Sequence, residues 1–226
     1  MPGFTPRTLD FLTELAQNNN REWFNQHKGD YELHVLEPAL QFIAAMQKPL
    51  ANISAHFVAS PKRVGGSLMR VYRDTRFARN KTPYKTNIGI QFRHELARDV
   101  HAPGFYVHVE PERAFLGVGL WRPDARALKS IRDFICAYPT EWGRLTTDPA
   151  FRKVFELRGD SLSRPPRGFS ADSDYIEDIK RKDFIALHEL DRLAPVEDDF
   201  SELVAERFQF ALPYMTMMCK AVGVPC

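Results

Sequence analysis

Residues 105–120 read Phe-Tyr-Val-His-Val-Glu-Pro-Glu-Arg-Ala-Phe-Leu-Gly-Val-Gly-Leu. Phe105, Val107 and Val109 alternate with Tyr106 and His108, and Leu116, Val118 and Leu120 alternate with Phe115, Gly117 and Gly119. A period of two sends successive side chains to opposite faces, so each run predicts a half-buried strand. Glu110-Pro111-Glu112-Arg113 between them is turn-forming, which makes the pair antiparallel. Just upstream, Ile88, Ile90 and Phe92 alternate with Gly89, Gln91 and Arg93 and add a third strand. Its register is fixed by the apolar set: Ile88 and Phe92 face the core and Arg93 faces away. Leu68 to Arg73 is expected to be a further strand of the same sheet.

Outward from this meander the period becomes helical. Thr5-Pro6 starts a helix over about residues 6 to 18, with Leu9, Leu12, Leu15 and Ala16 at helical spacing. Asn18-Asn19-Asn20 stops it, and Asn20 can cap a second helix that carries Trp23, Phe24, His27, Tyr31 and Val35. Pro38 marks a kink or a fresh start. After the meander, Ala127, Leu128, Ile131, Phe134 and Ile135 form one helical stripe that ends at Tyr138-Pro139, followed by short helical pieces near Trp142 to Leu145 and Phe151 to Phe155. Leu157 to Arg164 and Phe184 to Leu190 look like two more strands, the second preceded by a short helix from about Ser173 to Lys182. A helix from Asp199 to Val222, kinked at Pro213, closes the chain. No repeat or linker divides it. The expected fold class is α+β in a single domain, residues 1–226: a largely antiparallel meander sheet flanked by N-terminal and C-terminal helices.

The composition, 44% hydrophobic and 27% charged over 226 residues, excludes disordered, collagen-like and coiled-coil classes. The longest apolar runs are four or five residues, such as Phe42 to Met46, against the roughly 20 that a membrane helix needs, so no membrane partner is expected. The first residues lack the basic and long apolar regions of a secretory signal, which points to the cytoplasm. Cys136, Cys219 and Cys226 contain no CxxC pair and read as packing residues and a loose tail. The histidines offer no metal site: His27 and His34 are seven apart, and His101 and His108 sit in different contexts. Gly117-x-Gly119 lacks the third glycine of a dinucleotide loop, and close backbone packing explains it more simply. No cofactor is expected.

The net charge of +2 hides an uneven distribution. Between Ser60 and Val100, ten bases stand against Asp74, Glu95 and Asp99, a local balance of +7. Between Ser170 and Glu206, twelve acids stand against Lys180, Arg181, Lys182 and Arg192, a balance of −8. The bases concentrate in Arg70-Val71-Tyr72-Arg73-Asp74-Thr75-Arg76-Phe77, followed by Lys81-Thr82-Pro83-Tyr84-Lys85. A strand, a loop and a returning strand would bring Arg70, Arg73, Lys81 and Lys85 together. Guanidinium forks suit phosphate or carboxylate oxygens, and lysines add point charge. Arg70, Tyr72, Arg73, Asp74, Arg76, Lys81, Tyr84 and Lys85 are therefore the candidate ligand-binding residues, for an anionic and phosphorylated small molecule. Two other readings stay open: an interaction module for an acidic protein or RNA, and an internal ion-pair lattice between the basic segment and residues 170–206. No residue is singled out as catalytic.

This central stretch resembles the signature of a widespread family of bacterial and fungal proteins, domain of unknown function 2461. The resemblance extends to Phe11-Leu12, Asn19-Asn20 and Trp23-Phe24, to Gly104-Phe105-Tyr106, to Gly117-Val118-Gly119-Leu120-Trp121 with Pro123, and to Pro166-Arg167-Gly168-Phe169. It covers nearly the whole chain. Ala78 and Val118 stand where the family more usually has serine and glycine, so neither position is indispensable here. The resemblance implies one domain and no established activity.

Overall fold

A computed structural model describes residues 3–96 and 103–226, so the readings of Arg98, Asp99 and His101 lie outside the described residues. Helix α1 (Pro6–Gln17) begins where Pro6 supplies a helical φ at a position whose N–H would go unpaired anyway, and Thr8 Oγ1 accepts the Thr5 N–H at 3.1 Å. Asn20 caps α2 (Arg21–Gln26), its Oδ1 accepting from Trp23 N at 2.9 Å. Then α3 (Lys28–Tyr31) passes through a π-helical turn, Glu32–Leu36, into α4 (Glu37–Ala45). Pro38 explains the interruption. It has no N–H for the His34 carbonyl four residues back, and the Thr8 hydroxyl of α1 donates to that oxygen instead, at 2.7 Å.

After α5 (Gln47–Ile53) come β1 (Phe57–Val58), β2 (Ile88–His94), β3 (Gly104–Glu110) and β4 (Arg113–Leu120). Next are α6 (Ala125–Ala137), α7 (Pro139–Thr146), α8 (Pro149–Val154), β5 (Glu156–Arg158), α9 (Ile176–Ile179), β6 (Phe184–Leu190) and α10 (Phe200–Val222). The strands make a six-stranded antiparallel sheet, ordered β1-β2-β3-β4-β6-β5. The fold is therefore α+β with the expected β2-β3-β4 meander. Ile88, Ile90 and Phe92 are buried beside Val109, Val107 and Phe105, and Arg93 is half-buried on the other face, where its Nε donates to Gln91 Oε1 at 3.3 Å. Phe208 of α10 meets Phe105 at 4.6 Å and Phe92 at 6.2 Å between ring centres. Burying an aromatic of this kind stabilises the fold by roughly 1.5–3 kcal/mol. Helical structure continues through Pro213, which withholds an N–H from the Gln209 carbonyl. Among the described residues no helix is long and apolar enough to cross a membrane.

Four local expectations need correction. Leu68 to Arg73 is not a continuous strand; it makes isolated bridges at Leu68, to Ile90, and at Tyr72, to Tyr84, because two extra residues on the returning arm interrupt the ladder between them. Phe57–Val58 takes the edge position instead, pairing with His94 and Arg93. Leu157 to Arg164 shortens to β5 plus one bridge from Ser161 to Arg181, since Gly159 takes a φ of 113° that breaks the ladder. The helix expected over Ser173 to Lys182 is the four-residue α9. Cys226 is not a loose tail: the Thr216 Oγ1 lies 3.6 Å from its Sγ, and the preceding Pro225 carbonyl accepts from His94 Nε2 at 2.8 Å.

Candidate functional site

The segment from Ser67 to Gln91 is a hairpin with an interruption. Leu68 bridges Ile90 through Met69 N to Gly89 O (2.9 Å) and Gln91 N to Ser67 O (2.8 Å). Tyr72 bridges Tyr84 through Arg73 N to Pro83 O (2.9 Å) and Lys85 N to Val71 O (2.8 Å). Between these pairs Arg70 stands opposite three residues, Thr86, Asn87 and Ile88. Unequal arms force the longer one to bulge, and a bulge re-aims side chains away from the ladder's alternation. Thr86 and Asn87, in that bulge, line a cleft of about 380 Å³ together with Ala16, Asn19, Arg73, Asn80, Thr82, Tyr84 and Lys85.

The far side of the cleft is the end of α1. The Asn19 side chain binds Tyr84 at both ends, Nδ2 donating to its carbonyl at 3.0 Å and Oδ1 accepting from its N–H at 3.1 Å. The Tyr84 ring stacks on Phe24 at 4.0 Å, and Tyr72 packs at 5.5 Å from Tyr84. Arg73 Nη1 donates to Thr82 Oγ1, and Thr82 N donates to Asn80 Oδ1 at 2.9 Å. Burial, and then Arg70, push the Lys85 ammonium below its usual pKa. Lys85 has no ion-pair or hydrogen-bond partner for its side chain among the described residues, and no carboxylate lines the cleft.

The structure thus divides the eight candidates. Arg73, Tyr84 and Lys85 line the cleft, and Arg70 is exposed close enough to act on Lys85. Tyr72 is exposed and belongs to the aromatic cluster with Phe24 and Tyr84. The other three organise the loop after Tyr72. Asp74 holds Arg76 through its side chain (2.7 and 3.0 Å), which pulls the Asp74 carboxyl down to about 2. Lys81 Nζ donates to the Thr75 carbonyl at 2.8 Å and the Arg76 carbonyl at 3.4 Å. Asn80, Thr82, Thr86 and Asn87 also line the cleft and are not among the eight candidates, and Asn19 enters the sequence analysis as part of a helix stop and of the family resemblance but not as a site residue. What places Thr86 and Asn87 is the pairing in the structure: with Tyr72 opposite Tyr84 and Leu68 opposite Ile90, the arms are unequal by two residues.

Asn87 also reaches a second polar group, His108. Its Nδ2 lies 3.4 Å from His108 Nδ1, which is 3.0 Å from the Tyr106 hydroxyl. Phe115 stacks on the imidazole at 4.4 Å, and Glu110 Oε2 sits 3.5 Å from Nε2, too far for a good hydrogen bond. Burial lowers the His108 pKa despite Glu110, and burial with Glu110 pushes Tyr106 up to about 12.

Residues 170–206 turn their charge elsewhere. Asp178 pairs with Arg181, Glu177 with Lys180, Glu189 with Arg113 and Glu206 with Arg207. Among the described residues no ion pair joins this segment to residues 60–96, and no group of three or more His, Cys, Asp and Glu side chains is arranged to hold a metal ion.

The profile of a family described as conserved hypothetical protein (DUF2461) matches residues 7–217. The chain belongs to the DUF2461 family. No curated protein and no solved structure matches it. In this DUF2461 chain the residues that carried the resemblance have physical jobs. Asn19 clamps Tyr84, Asn20 caps α2, and Phe24 takes the Tyr84 ring, so the N-terminal and central motifs are two sides of one contact. Gly119 has a φ of 115°, and a Cβ there would stand 2.1 Å from the Phe184 carbonyl oxygen, so Gly117-x-Gly119 serves packing between β4 and β6.

Proposed function

We propose that this DUF2461 protein binds a small anionic, phosphate-bearing ligand in the cleft between the end of α1 and the bulged hairpin. Lys85 and Arg73 supply the charge, with Arg70 adding to the local field. The observation that carries this reading is the pairing of two cations with no carboxylate in the lining among the described residues. Gathering like charge costs free energy, and a half-buried ammonium loses hydration besides, so an anion would relieve both. The exposed loop favours a second reading: Phe77, 96% exposed between Arg76 and Arg79, suits an RNA backbone or acidic partner.

A thermal-shift titration with millimolar inorganic phosphate, at ionic strength held constant with chloride, tests the first reading. Phosphate should raise Tm in the wild type and in Lys81→Ala, whose lysine serves the loop, but not in Lys85→Met. Equal stabilisation of Lys85→Met would overturn the assignment. A response lost with Lys81→Ala and kept with Lys85→Met, and falling steeply with added salt, would favour the outer loop and a polyanion instead.

A further inference from the structure

We infer that the cleft selects a phosphorylated polyol, such as a sugar phosphate, over both free phosphate and nucleotides. The inference rests on the anion-binding reading above and concerns what else the cleft recognises. A volume of about 380 Å³ falls at the lower end of the roughly 300–1,000 Å³ of small-molecule sites and leaves room beyond one phosphate group.

The hydrogen-bonding inventory describes what should fill that room. Asn19 is spent at both ends on the Tyr84 backbone. Thr82 accepts from Arg73, and Asn80 Oδ1 accepts from Thr82 N. Left over are the Lys85 ammonium and the other Arg73 N–H groups, which suit a phosphate. Also left are the Asn80 Nδ2, the Thr86 hydroxyl and the half of the Asn87 amide not turned toward His108, and Thr86 makes no side-chain hydrogen bond among the described residues. Inorganic phosphate at neutral pH carries only one or two O–H donors on a single centre, whereas a sugar presents several hydroxyls, each donating and accepting, spread over the room beyond the phosphate. A nucleotide would need a flat apolar face for its base. Among the described residues the one aromatic in the lining is Tyr84, which is 3% exposed with its ring stacked on Phe24, so the lining itself offers no open platform.

Calorimetric titration of the full chain with inorganic phosphate, glucose 6-phosphate, glucose and AMP tests this, with Thr86→Val as the near-isosteric variant. Glucose 6-phosphate should bind roughly tenfold more tightly than inorganic phosphate, the gain expected from one or two neutral hydrogen bonds. Thr86→Val should remove most of that gain and leave phosphate affinity unchanged, a split that a folding defect would not produce. Equal affinity for phosphate and glucose 6-phosphate, or tighter binding of AMP, would overturn the polyol inference while the anion reading stands. No binding by any of the three phosphates would overturn both.

Discussion

The corner where α9 meets α6 and α7 and the cleft beside α1 treat charge in opposite ways. At the corner, Asp178 accepts from the Trp142 indole at 2.7 Å and from Arg181 Nε at 2.9 Å, and Arg132 donates to the carbonyls of Ile179 and Arg181 at 2.7 and 3.0 Å. Each charged group there has a partner supplied by the chain. In the cleft, Lys85 has none among the described residues, and Arg73 has a threonine hydroxyl but no acid. The same fold that satisfies a buried guanidinium leaves a half-buried ammonium open. Buried polar groups are ordinarily paired, and the anion proposed for the cleft would supply the partner that Lys85 lacks there.

The largest effect is expected at the corner. Asp178→Ala leaves the Trp142 N–H and the Arg181 guanidinium without their acceptor in a setting where the carboxylate is only 18% exposed. The expected loss is about 2 kcal/mol of unfolding free energy, read by urea denaturation. The rise in Tm with phosphate should persist at the new, lower baseline. If that response disappears with Asp178→Ala, the two regions are coupled and the contrast between them fails.

A smaller loss with a different signature is expected on the cleft side. Asn19→Ala removes both hydrogen bonds to the Tyr84 backbone and should cost about 1–2 kcal/mol. Because Tyr84 and Lys85 share the strand that Asn19 clamps, the phosphate response should fall as well. Stability lost with the phosphate response intact would show that the clamp holds the helices but does not shape the cleft.

The two regions were also unequally legible in sequence. Alternation at Ile88, Phe105 and Leu116 fixed strands whose register the structure repeats, because one face of each strand is buried and a one-residue slip would turn it out. The cap at Asn20 was readable for a similar reason: a local side-chain bond leaves a local pattern. Asn19 was not, since its partner Tyr84 lies 65 residues away and nothing near Asn19 announces it. Leu68 to Arg73 has local strand propensity, while its pairing depends on the returning arm, whose two extra residues interrupt the ladder. For the site, charge density located Arg73 and Lys85, but Arg76 and Lys81 have the same density and are spent within their loop. Neutral residues such as Thr86 and Asn87 carry no charge signal, and only the unequal hairpin arms place them.

Acid pH offers the finest test of the difference, through His188 on β6. Its Nδ1 lies 2.7 Å from the Val154 carbonyl and so must carry the proton, while Nε2 accepts from Arg207 Nε at 3.3 Å. Both nitrogens of the neutral ring are thereby committed. Adding a proton at Nε2 would set two N–H groups against each other beside a guanidinium. Burial first, and then Arg207, accordingly lower the His188 pKa from its ordinary 6.5, despite the Val154 bond and Glu189. Below 6.5 the unfolded chain takes up this proton more readily than the folded one, so the contribution of His188 is fully present above 6.5 and is lost as pH falls through the lowered folded value. His188→Gln keeps a donor for Val154 and an acceptor for Arg207 but cannot titrate. Its Tm should match the wild type's near pH 8 and decline less steeply from pH 6.5 to 5, by less than either substitution above changes stability. Parallel Tm curves for the two proteins would mean that Arg207 and Val154 do not hold the ring neutral, and that this edge of the sheet is not closed in the way the α9 corner is.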